Sequence, residues 1–138
     1  MRTTFKISVA ALMLAVLMLA GRAKASAQGD GYDVFIPITK YIIQGNVDAL
    51  SAWFDDNLEV SVFARRSDAS SAQARQIVKA FFDSYTPRNF TVSHTAGRAN
   101  MKYIVGELNA GGENFRVTIF VICKDEAYRI QQLKIDRI

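Results

Sequence analysis

Apolar positions in this chain follow two periods. Val34, Ile38, Tyr41 and Ile42 fall on one helix face, and Val47, Leu50, Trp53 and Phe54 on a second. Pro37 lacks an N–H and belongs in a first turn, where none is needed. Gly45 suits a helix C-terminus, because glycine tolerates the left-handed conformation. Asn46 then caps the second helix, which Asp55-Asp56-Asn57 ends. Leu58, Val60, Val62 and Ala64 alternate with Glu59, Ser61 and Phe63, which predicts a strand. Arg65 to Ser70 reads as a loop with room for a short second strand. Ser70 or Ser71 caps a third helix whose apolar face is Ala74, Ile77, Val78, Phe81, Phe82 and Tyr85, and Thr86-Pro87 ends it.

The remainder has the period of two. Phe90 to Ala96, Met101 to Asn109, Asn114 to Lys124 and Tyr128 to Arg137 are four β-rich runs. Ala110-Gly111-Gly112-Glu113 reads as a hairpin turn, and Asp125-Glu126 as another tight connection. The expected fold is therefore α+β: three helices segregated against one curved antiparallel sheet. Phe115 to Cys123 is apolar on both faces, so its outer face calls for cover, for which a dimer partner is one source.

The first residues carry a different signal. Arg2 and Lys6 precede an uncharged apolar run, Ile7 to Gly21. Arg22, Lys24 and the small residues Ala25-Ser26-Ala27 follow. This is the pattern of a cleavable export leader, residues 1–27, cut between Ala27 and Gln28. The domain is then residues 28–138, working in the periplasm or outside the cell, with no membrane attachment after cleavage. The leader also distorts the charge. The chain has 17 basic and 13 acidic residues. Four of the basic ones lie before the cut, so the rest is neutral and lacks a basic field for nucleic acid.

Little in the sequence announces chemistry. Cys123 is the only cysteine, expected to be buried in its apolar strand. No phosphate loop, zinc spacing or nucleophile elbow is present. No catalytic residue, metal ligand or cofactor is expected. Asp55, Asp56, Asn57 and Glu59 offer oxygens to calcium, or simply end a helix. Arg65 and Arg66 are either an anion clamp or two surface arginines. His94, by strand alternation, shares a face with Phe90, Val92 and Ala96, as a general base or as a structural histidine.

Three stretches carry a family resemblance. They are Val34-Phe35-Ile36-Pro37-Ile38 with Lys40-Tyr41-Ile42, then Phe81-Phe82 to Tyr85-Thr86-Pro87-Arg88, then Gly106-Glu107-Leu108-Asn109-Ala110-Gly111-Gly112-Glu113-Asn114-Phe115-Arg116-Val117. They resemble domain-of-unknown-function family 4783, small exported Bacteroidetes proteins. The element order resembles the nuclear-transport-factor-2-like cone. The resemblance implies a fold and an exported location, and no reaction. Enzymes of that superfamily, such as ketosteroid isomerases, use acids or histidines inside the cone. The comparable residues are His94, Tyr103, Glu107 and Asp83. Tyr103 and Glu107 are four apart in one strand and face the same side. Trp53, Phe54, Phe63 and Tyr103 are candidates for the mouth of a cone, or for its core.

The expectation is an exported, non-enzymatic domain that binds a small ligand or a protein partner through its cone or outer sheet face. The ligand candidates are Trp53, Phe63, His94, Tyr103 and Glu107, and a homodimer through the outer face is the expected self-association. The alternative is a cone-type isomerase, dehydratase or hydrolase.

Overall fold

The computed structural model describes residues 32–138, so the leader expected at residues 1–27 lies outside the described residues. Helix α1 spans Phe35–Gln44 and α2 spans Val47–Ser51. Strands β1 (Phe54–Val62) and β2 (Arg65–Ser70) form a hairpin, and α3 (Ser71–Ser84) follows. Strands β3 (Pro87–Gly97), β4 (Met101–Ala110), β5 (Glu113–Lys124) and β6 (Ala127–Arg137) complete a six-stranded sheet of order β2-β1-β6-β5-β4-β3.

Local chemistry explains the element ends. Gly45 has φ 65°, and its N–H reaches the Ile42 carbonyl at 3.0 Å. Asn46 accepts from the Ala49 N–H at 3.1 Å. Ser70 and Gln73 cap α3 reciprocally, each side chain bonding the other's backbone. Gly111 and Gly112, at φ 58° and 80°, make the β4–β5 turn.

The sheet is mixed rather than antiparallel, because β1 runs parallel to β6, with Val60 opposite Leu133 and Val62 opposite Ile135. The second helix is a single turn. Phe54 belongs to β1, where it pairs with Ile130, and its helical spacing from Leu50 is incidental. The Ile130 N–H donates to the Trp53 carbonyl at 2.7 Å, which ends helical bonding there. Arg65 to Ser70 is wholly strand, paired with Val62 to Asn57.

The core lies between the helices and the inner sheet face. Ile38, Ile42, Leu50, Val78 and Phe81 come down from the helices. Ile104, Leu108, Phe115, Val117, Ile119, Ile130, Leu133 and Ile135 rise from β4, β5 and β6. The interior of the cone is thus occupied by side chains. Cys123 is half-buried rather than buried, because it lies near the end of β5 opposite Tyr128, beyond the best-covered part of the sheet.

One irregularity decides where a candidate points. Val92 pairs with Gly106, but His94 pairs with Val105, so Ser93 is an extra residue in β3. Phe90 and Val92 oppose the inward positions Leu108 and Gly106, whereas His94 and Ala96 oppose Val105 and Tyr103 on the outer face. His94 therefore does not share a face with Phe90 and Val92, because one inserted residue reverses the alternation.

Candidate functional site

The β1–β2 hairpin turns on Phe63 and Ala64, at φ 53° and 66°. A two-residue hairpin turn of this kind asks for positive φ at both positions and normally takes Asn or Gly. Left-handed conformation costs an L-residue about 1–2 kcal/mol. For a residue as bulky as phenylalanine the conformation is exceptional, and such strain gathers where a side chain must be aimed. Here it aims the Phe63 ring at an aromatic cluster. Its centroid lies 5.7 Å from Phe115 and 6.0 Å from both Phe81 and Tyr85.

Arg137 closes the far side of that ring. Its guanidinium carbon stands 4.3 Å from the Phe63 centroid. One nitrogen donates to the Tyr85 hydroxyl at 2.9 Å and another meets Glu113 at 3.0 Å. The Tyr85 hydroxyl, with Glu113, holds the guanidinium above its ordinary pKa. Phe63 is thus braced although 36% of its surface is exposed.

On the near side, between the hairpin and α3, lies an open cleft of about 500 Å³. Val62 and Phe63 of the hairpin and Ile77, Ala80 and Phe81 of α3 make apolar walls, while Arg65, Ser67, Ser84 and Tyr85 supply polar groups. The cleft exists for two local reasons. Arg65 and Ser67 occupy inward positions of β2, opposite Val62 and Val60, where an apolar residue would fill the space. Ala80 and Ser84, one helical turn apart on α3, bring no bulk of their own.

The residues expected at a binding site separate into three places. Phe63 lines this cleft. Trp53, half-buried, lines a different and more open hollow of about 590 Å³ with Val34, Ala52, Ala127, Tyr128 and Arg129. There Arg129 donates to the Ala52 carbonyl at 2.9 Å. The Tyr128 hydroxyl donates to the Ala99 carbonyl at 2.8 Å, and burial, with the Cys123 thiol adding to it, raises its pKa. His94, Tyr103 and Glu107 stand on the outer sheet face, not inside the cone. His94 and Tyr103 rings are 5.8 Å apart, and Glu107 sits opposite Arg116. Asp83 is exposed and ion-paired to Lys79 at 2.9 Å.

The acidic cluster is dispersed by its partners. Asp55 accepts from Lys124 at 2.7 Å and Gln131 at 2.5 Å, and the Lys124 bond leads in holding its pKa below the ordinary carboxylate value against the opposing effect of burial. Glu59 is bound by Arg66 at 2.5 Å and by Gln132. Alternation also parts the two arginines: Arg66 turns outward to Glu59, and Arg65 turns inward to the cleft. A two-arginine clamp is therefore not formed. In the sequence Tyr85 reads only as part of an apolar helix face, and Arg137 only as the end of a strand. Arg137 reaches Phe63 only because β6 pairs with β1, and no local pattern announces that pairing.

The fold is similar to that of solved proteins. A nuclear-transport-factor-2-like protein of unknown function from Silicibacter pomeroyi matches with a TM-score of 0.61 at 13% identity, over 83% of this chain and 98% of that one. The described α+β architecture is of that nuclear-transport-factor-2-like class. Within it, residues 35–136 match the family model described as "Domain of unknown function (DUF4783)", and the chain belongs to that family. A family protein from Bacteroides uniformis matches with a TM-score of 0.71 at 24% identity, over 74% of this chain and 94% of that one. One from Bacteroides ovatus matches at 0.72 and 24%, over 75% and 94%. No curated protein matches the chain.

Proposed function

We propose that this is an exported, non-catalytic binding domain that holds a small ligand in the cleft between the β1–β2 hairpin and α3. One observation carries the reading: a strained, braced and partly exposed phenylalanine forms one wall of an open cleft of about 500 Å³, within the size range of ligand pockets. The ionisable candidates do not converge there. His94, Tyr103 and Glu107 lie on the opposite sheet face, and the cone interior is packed with apolar side chains. That arrangement supports binding over isomerase, dehydratase or hydrolase chemistry. The leader pattern of residues 1–27 supports export to the periplasm or beyond.

The test fills the cleft. Ala80 is exposed on α3, so Ala80→Trp occupies the space with a stability change within about 0.5 kcal/mol. In a fragment screen followed by amide-detected NMR, wild-type binders lose at least about tenfold in affinity in the variant, the loss of roughly 1.4 kcal/mol of contact. Undiminished binding in Ala80→Trp contradicts the reading.

The outer sheet face favours a second role, self-association. Met101, Tyr103, Val105, Phe120 and Ile122 form an apolar cluster on β4 and β5, each half-buried. Apolar side chains so grouped suit a second copy of the chain. Sedimentation at high concentration is expected to give a dimer that Phe120→Glu splits. A wild-type monomer removes this role.

A further inference from the structure

Resting on the cleft as the binding site, we infer that its ligand is a monoanion with a flat, ring-shaped apolar body, a small aromatic carboxylate. Among the described residues, the cleft has one cation in its lining, Arg65, and no acid. Of the three arginines around the hairpin, Arg66 is taken by Glu59 and Arg137 by Glu113 and Tyr85. Arg65 carries no ion pair among the described residues, and it sits on the inward side of β2 where alternation would place an apolar group. Arg65 is exposed at the rim of the cleft, and a guanidinium, less strongly hydrated than an ammonium, presents a planar fork that fits a carboxylate with two parallel hydrogen bonds. A single guanidinium balances one negative charge, which selects a monoanion over a phosphate monoester.

The apolar walls define the rest of the ligand. Phe63 and Tyr85 stand edge to face, at 86°, and Phe81 lies 5.2 Å from Tyr85. Ring edges and faces of this kind favour a flat ring laid against them over a flexible chain. Ile77 and Val62 complete the apolar lining, and Ser67 and Ser84 offer hydroxyl donors at its polar edge. At about 30 Å³ per water-sized group, the volume holds on the order of 15 non-hydrogen atoms, the size of a two-ring acid.

Calorimetric titration with 2-naphthoate and its neutral analogue 2-naphthalenemethanol tests this. Wild-type protein is expected to bind the acid at least about tenfold more tightly, the worth of a charge-assisted hydrogen bond. Arg65→Ala abolishes that preference by weakening the acid far more than the alcohol, Arg65→Lys restores part of it, and Ala80→Trp weakens both probes. Equal affinity for acid and alcohol, or a preference that survives Arg65→Ala, overturns the monoanion inference and leaves the cleft standing. Absence of binding by both probes, or binding that Ala80→Trp does not weaken, overturns the inference and the cleft together. Decanoate bound more tightly than 2-naphthoate overturns the ring-shaped body.

Discussion

Phe115→Ala is expected to lower stability by about 3–5 kcal/mol, the range for removing a buried aromatic ring. Phe115 has no exposed surface, and its ring lies 5.0 Å from Tyr85, 5.2 Å from Phe81 and 5.7 Å from Phe63. The loss combines transfer of the ring, a cavity that the flanking sheet cannot close, and three aromatic contacts. For a domain of this size it corresponds to a fall of roughly 15–30 °C in melting temperature, read by circular dichroism. Phe115→Leu keeps most of the volume and is expected to cost far less. Because Phe115 is the floor on which Phe63 and Tyr85 rest, the alanine variant also loses the cleft. A loss below about 1 kcal/mol, the average for an ordinary substitution, contradicts this packing.

Gly106→Ala is expected to cost about 1–3 kcal/mol, as overpacking does, although alanine is otherwise the better strand residue. A Cβ on Gly106 would stand 2.4 Å from the Phe90 ring and 2.9 Å from the Thr91 carbonyl oxygen. The ring is buried and the oxygen is backbone of the paired strand, so neither withdraws freely. Phe90→Leu in the same chain removes the ring contact and is expected to recover part of the loss relative to the sum of the single variants. Urea denaturation of the four proteins measures both quantities. A Gly106→Ala protein as stable as wild type contradicts the close approach of β3 to β4.

Much of this fold was legible because its signals are local. The Ser70–Gln73 cap, the Gly111-Gly112 turn and the alternation of β4 and β5 all lie within a few residues of the structure they specify. What was not legible depends on distant partners. Phe54 keeps a helical spacing from Leu50, yet Ile130, far along the chain, claims it for the sheet. The parallel seam between β1 and β6 leaves no mark on either strand. His94 changed faces through a single inserted residue, Ser93, which a strict period of two cannot anticipate. Of the candidate site, Phe63 was visible as an aromatic near the end of a strand, but not its place in the hairpin turn, its strained conformation or the Arg137 guanidinium against it. The Arg65-Arg66 pair was visible as charge. Only the strand alternation shows that one member faces the cleft and the other Glu59.

Intermolecular nuclear Overhauser effects locate a ligand seated between the hairpin and α3. With 2-naphthoate bound, contacts are expected from its ring protons to Ile77, Ala80, Phe81 and Phe63. Contacts instead to Trp53 and Tyr128, or to Tyr103 and Phe120 on the outer face, would contradict that placement.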